Sequence, residues 1–259
     1  MHKVIVLLAF GLVYYGACTY ALVLFESGIL VSSLVLFGLP AYVLARFSLA
    51  PTSLLLAVSL FGMALAILLE SAAHIYGLWL TVGANETRLF SLIPVEMITA
   101  ITLQVVFLVL VYETLFDDGQ YDSLQPQKRW GLFGLFTLAV AGLVAMHVYL
   151  FDGWLFAHSY LWLMGILVTA GLSVLIAYRR QVVLFLDRFV LFSMVAAIPM
   201  LAFLWVSVIN VHKVFALESA YVHMVSLGSV TVPLEELLLV FVVPFLVAVI
   251  YEVYLDDVA

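Results

Sequence analysis

The 259-residue chain is 67% hydrophobic and 10% charged, a balance that no water-soluble domain of this size keeps off its surface. Its formal net charge of -7 offers no basic footprint for nucleic acid. Its one cysteine, Cys18, excludes an internal disulfide and a cysteine-based metal cage.

Lipid is therefore the expected solvent for most of the chain. A hydrocarbon core about 30 Å thick takes roughly 20 apolar residues per helix. Apolar runs between polar breaks predict eight spans, near 3–25, 28–46, 52–78, 91–115, 131–150, 155–178, 182–209 and 229–255. The first opens on His2 and Lys3 and reaches Tyr15-Gly16-Ala17-Cys18, a pattern shared with secretory and lipoprotein signals. Apolarity continues from Ala21 to Phe25, so the run is read as a retained membrane helix.

The third span carries Glu70, and the fourth opens on Ile93-Pro94-Val95-Glu96 and closes near Tyr112-Glu113 and Asp117-Asp118. Residues 119–130 are the polar linker between an N-terminal unit, 1–118, and a C-terminal unit, 131–259. In the second unit Pro199 interrupts the seventh span, and the eighth opens on Val232-Pro233-Leu234-Glu235-Glu236 and contains Pro244. With these spans, Lys3, Arg46, Lys128, Arg129, Arg179, Arg180 and Arg188 fall on one side, and only Arg88 and Lys213 on the other. The basic side faces the cytoplasm, which predicts a multi-pass protein of the cell membrane with both termini cytoplasmic.

Sliding the chain by 139 residues pairs Pro94 and Glu96 with Pro233 and Glu235. Without a gap it then pairs Tyr112-Glu113 with Tyr251-Glu252 and Asp117-Asp118 with Asp256-Asp257. These identities are proline, tyrosine and acids, not the aliphatic matches that chance gives two hydrophobic helices. The fold class expected is an all-α integral membrane protein, with eight helices in two parallel four-helix repeats about an axis along the membrane normal.

Pro-x-Glu has two readings. Proline suits the first turn of a helix, and an acid there is favoured by the helix dipole. Alternatively the carboxyls are functional, because ionisable groups within spans cost about a few kcal/mol each and usually face a cavity or a partner. Glu236 beside Glu235, and Glu70 with no helix end to cap, favour the second reading. Carboxyls converging in apolar surroundings can stay protonated and act as acids. Glu113 and Glu252 lie about 25 Å further along their helices and are read as interfacial. Tyr76, Trp79, Phe90, Phe203, Trp205, Phe215 and Tyr221 cluster near the same end as Glu96 and Glu235. They read equally as an interfacial aromatic belt and as a wall that stabilises a carbocation.

Pro233-Leu234-Glu235-Glu236, echoed by Pro94-Val95-Glu96-Met97, resembles the Pro-x-Glu-Glu motif of the membrane-embedded lycopene cyclases of actinobacteria, archaea and fungi. The stretch from Glu70 to Gly77-Leu78-Trp79 is similar to the acid and Gly-x-Trp that precede that motif, and loosely to the carotenoid hydratases. The resemblance implies acid-catalysed cyclisation of a linear carotenoid end group, an intramolecular isomerisation without redox change, cofactor or metal. Glu235 and Glu236 would carry it, with Glu96 and Glu70 assisting. The motif residues Pro94 and Pro233 and the aromatics Trp79, Tyr76 and Trp205 would meet the lipophilic carotenoid or isoprenoid substrate. Two departures stand out: Met97 replaces the second acid of the first unit, and Ile209 stands where the offset would place a counterpart of Glu70.

Other classes compete. A carotenoid 1,2-hydratase would begin with the same protonation and then admit water. A magnesium-dependent prenyltransferase would use Asp117, Asp118 and Asp122 with Asp256 and Asp257. Glu70 and His74 form a weak metal-ligand pair on one helical face, and His147 lies within a span. Retinal binding would need a mid-span lysine, whereas Lys3, Lys128 and Lys213 all flank spans. A proton-coupled transporter would account for the prolines and acids within spans.

Overall fold

The computed structural model describes residues 2–48, 52–82, 87–89, 93–116, 165, 168, 186–215, 221–228 and 230–251. Its long elements are helices: α1 (His2–Leu24), α2 (Ile29–Phe47), α3 (Thr52–Tyr76), α4 (Val95–Leu115), α5 (Leu186–Ile209) and α6 (Leu234–Ile250). Each falls on an apolar run predicted as a span. The predicted spans 131–150 and 155–178, the linker, His147 and the aspartates at 117, 118, 122, 256 and 257 lie outside the described residues.

Among the described residues, four helices are long and apolar enough to cross a membrane: Ile29–Phe47, Leu54–His74, Val95–Leu115 and Asp187–Ile209. Their outward surfaces suit a bilayer. Large apolar side chains such as Leu30, Phe47, Leu56 and Met194 stand exposed, in numbers that water would penalise and acyl chains do not. The main apolar body draws on α1, α2, α3, α4, α5 and α6, with Phe37, Leu108, Tyr112, Phe189 and Phe192 fully enclosed, and two smaller apolar clusters adjoin the helix ends. Gly62 lets α3 and α4 approach closely, since a Cβ there would lie 3.1 Å from the Thr102 backbone. Within α2, residues Leu34–Gly38 form a π-helical turn.

The expectation of an all-α chain needs one correction. Three short antiparallel ribbons lie at the helix ends: β1 (Leu80–Thr81) with β4 (Lys213–Val214), β2 (Arg88–Leu89) with β3 (Ile93–Pro94), and β5 (Met224–Leu227) with β6 (Val230–Pro233). The helices predicted to start at 91 and 229 therefore start at Val95 and Leu234. The β-branched run Val230-Thr231-Val232 favours a strand, Gly228 supplies the turn with a φ of 65°, and proline ends the ladder because it has no N–H to donate.

The two prolines then do the same work. Pro94 (φ -63°, ψ 130°) and Pro233 (φ -60°, ψ 141°) cap α4 and α6 in extended backbone, each leading a strand directly into a helix. At the opposite ends of these helices the rings of Tyr112 and Tyr251 meet, with centroids 5.4 Å apart.

Candidate functional site: a carboxyl cluster under a two-stranded ribbon

α3 ends where Gly77 takes a left-handed φ of 63° and the Leu78 N–H bonds back to the Ala73 carbonyl at 2.9 Å. This six-to-one closure lets the chain leave the helix as a strand. α5 ends the same way, with Val211 at φ 57° and the His212 N–H on the Ser207 carbonyl at 2.8 Å. The emerging strands, β1 and β4, pair with Leu80 opposite Val214 and Thr81 opposite Lys213. The Val82 N–H extends the ladder to the His212 carbonyl at 2.8 Å.

Side chains alternate between the two faces of a strand. One face of this ribbon thus presents Trp79 and Thr81 from one helix end and Lys213 and Phe215 from the other. Beneath it lies Glu70, one and a half turns before the end of α3 and 5% exposed. The Trp79 indole N–H donates to Glu70 Oε1 at 3.0 Å, and the Thr81 hydroxyl to Oε2 at 3.3 Å. Lys213 lies over the Trp79 ring, its ammonium 4.0 Å from the centroid and 5.5 Å from that of Phe215. The same ammonium donates to Glu236 Oε1 and forms an ion pair with it. Glu70 is within electrostatic reach of both Lys213 and Glu236. One indole thus binds Glu70 at its edge and carries Glu236's counter-ion on its face, joining α3 to α6.

Glu235 is 2% exposed. Its Oε1 accepts the Val222 N–H at 2.5 Å, and its Oε2 is buried without a hydrogen-bond partner among the described residues. A buried carboxyl oxygen in that state is costly unless something else engages it. Tyr221, next along from the donor, packs its ring edge-on against Phe215 with centroids 5.9 Å apart. Burial, and then the nearby Glu236 and Glu235 carboxylates, push the Tyr221 phenol above its ordinary range.

A second set of polar contacts ties α1 to the cluster's support. The Asn210 amide donates to the Leu22 and Ser27 carbonyls at 3.2 and 3.1 Å, and His212 Nε2 lies 2.8 Å from the Ser27 carbonyl. These side chains add to the bonds that the Leu22 and Ser27 carbonyls already accept, from the Ser27 N–H and the Ser32 hydroxyl, and so pin the end of α1 and the turn after it. They also fix the residue preceding Lys213.

Of the residues singled out by sequence, Glu70, Trp79 and Glu236 come together on Lys213, and Glu235 lies buried beside them. Glu96 is buried in the first turn of α4, the matched place in the first unit. Pro94 and Pro233 act as helix caps. Trp205 is on α5, half-buried and away from the ribbon, and Tyr76 closes α3 with its side chain outside the described residues. His74 is exposed, whereas Glu70 is buried. Among the described residues no group of three or more His, Cys, Asp or Glu is placed to hold a metal ion.

Sequence reading missed the roles of Lys213, Thr81 and the Val222 N–H, while Tyr221 was among the aromatics it singled out. Lys213 was legible only as a charge flanking a span, because a 23-residue separation from Glu236 carries no periodic signal. No protein-family model, curated protein or solved structure matches this chain.

Proposed function

We propose that this chain is an eight-span enzyme of the cell membrane, with both termini cytoplasmic, that uses its carboxyl cluster for acid-catalysed cyclisation of a linear carotenoid end group. The observation that carries this reading is the meeting of Glu70 and Glu236 through Trp79 and Lys213, with Glu235 buried next to Glu236 in the chain, beneath an aromatic ribbon in a protein whose outer surface suits lipid. One ammonium balances one carboxylate, and further unpaired charge in a dry site is expensive. The cluster is therefore suited to holding and exchanging protons.

Three features support two parallel four-helix units. The Pro-capped, strand-to-helix junctions at Pro94 and Pro233 match. The helix-end ribbon joins the strand leaving α3, the third predicted span of the first unit, to the strand leaving α5, the third predicted span of the second. Tyr112 and Tyr251, equivalent under the 139-residue offset, touch at the far end.

The chemistry follows from the partners. Glu236 is tied to Lys213, and Glu70 to Trp79 and Thr81. Glu235 has the oxygen left to engage a substrate, so it delivers the proton to the terminal double bond of the polyene. The neighbouring double bond closes on the tertiary cation, the Trp79, Phe215 and Tyr221 rings stabilise positive charge nearby, and a carboxylate of the cluster takes a proton from the ring. One proton enters and one leaves, so substrate and product are isomers.

Expression in a lycopene-accumulating bacterial host, with pigments separated by chromatography and weighed by mass spectrometry, tests the reading. The expected product has lycopene's mass and a shifted absorption spectrum. Gain of one water would make the chain a hydratase instead, and untouched lycopene with full-length protein in the membrane would overturn the proposal.

A further inference from the structure

α1 and α5 lie side by side, and between them runs a groove of about 590 Å³, within the size range of small-molecule sites. Its walls are one face of each helix: Tyr15, Gly16 and Thr19 from α1, and Ala202 and Trp205 from α5. From Leu12 to Val23 and from Ile198 to Val208 it extends for about 15 Å along the helices, half of a hydrocarbon core about 30 Å thick. Val232 and Leu237, the residues on either side of the Pro233-to-Glu236 turn, also line it.

One aromatic ring touches both the carboxyl cluster's aromatic support and residues that line this groove. Phe215 packs against Trp79 and Tyr221 on one side, and against the group containing Leu204, Val232 and Leu237 on the other. The space beside Gly16 is open, since a Cβ there would meet nothing within 4 Å.

We infer that the α1–α5 groove binds the hydrocarbon chain of a linear conjugated polyene and directs one end of it toward Phe215 and Glu235, the remainder staying in the lipid. This rests on the proposed reaction for the choice of a polyene, while the walls themselves call for an extended apolar chain. No ion, sugar or phosphate would find a charged partner among the lining residues.

The test uses full-length protein in dioleoylphosphatidylcholine nanodiscs titrated with trans-parinaric acid, a linear conjugated tetraene that accepts excitation energy from tryptophan. Transfer should saturate, and Trp205→Phe should remove most of the saturable part. Gly16→Phe and Ala202→Leu should each weaken binding about ten-fold or more, equivalent to about 1.4 kcal/mol, with thermal unfolding midpoints retained. The two variants add bulk from opposite walls, so misfolding of one leaves the other to decide. Transfer that rises linearly without saturation, and equally in both variants, means that lipid chains fill the groove and overturns the inference. Saturable binding without lycopene conversion keeps the groove and sinks the cyclase. Conversion that Gly16→Phe and Ala202→Leu leave at the wild-type rate keeps the cyclase and sinks the groove.

Discussion

The turns that open α4 and α6 share a backbone and differ in chemistry. Each runs strand, proline cap, helix, with an acid two residues after the proline. Beyond that acid, α4 places Met97 in the main apolar body, whereas α6 places Glu236 against Lys213. The comparison teaches that the scaffold of such a turn is set by the proline and the preceding strand, which constrain φ and remove a donor whatever follows. Function is decided by the next side chain and by what the neighbouring ribbon brings to meet it. On the proposed reading the α6 copy is the reactive one and the α4 copy mainly a packing element.

The largest expected effect separates the two turns directly. Glu235→Gln should lower conversion by about 100-fold or more, within the range that loss of a general acid produces, while Glu96→Gln should lower it by less than about ten-fold. Pigment yield per unit of membrane-inserted protein measures both, and equal losses would show that the two turns act alike.

Lys213→Met asks whether the lysine makes the difference. It leaves Glu236 buried without its cation, and breaking such a pair costs about 3 kcal/mol at the low end of measured cases. The unfolding midpoint in detergent should fall, Lys213→Arg should recover part of the loss, and Lys213→Met combined with Glu236→Gln should recover more. A midpoint unchanged in Lys213→Met would remove the lysine from the account.

The smallest effect is alkaline. The raised Tyr221 phenol means that the folded chain holds its proton more tightly than the unfolded chain, whose tyrosine titrates near about 10. The associated stability is present below that pH and declines above it, as the unfolded state releases the proton first. Tyr221→Phe should flatten this decline in stability measured above about pH 10, and an unchanged slope would place the phenol's environment elsewhere.

Much of this was readable before any coordinates. Helix positions followed from apolar length, because a bilayer demands it, and Glu70, Glu235 and Glu236 stood out because carboxyls within apolar runs need a reason. The ribbons were not readable. Leu80–Thr81 and Lys213–Val214 are two residues each, too short for a period-2 signal, and their pairing joins segments more than 130 residues apart. Lys213's role depends on that pairing, so it was hidden with it. The end of α5 falls at Ile209, where the apolar run predicts it, although the left-handed residue that follows is the β-branched Val211 and not a glycine.

The tyrosine pair bears on motion. A carrier that alternates access rocks one half of its fold against the other about a central site, so the halves must part at each membrane face in turn. Here Tyr112 and Tyr251 are both buried and in ring contact at one face, and the β1–β4 ladder clasps the chain at the other. Opening either face would break one of these contacts. For the proposed membrane enzyme, a fold clasped at both ends means that the ligand enters from the side, through the gap between neighbouring helices in the plane of the bilayer.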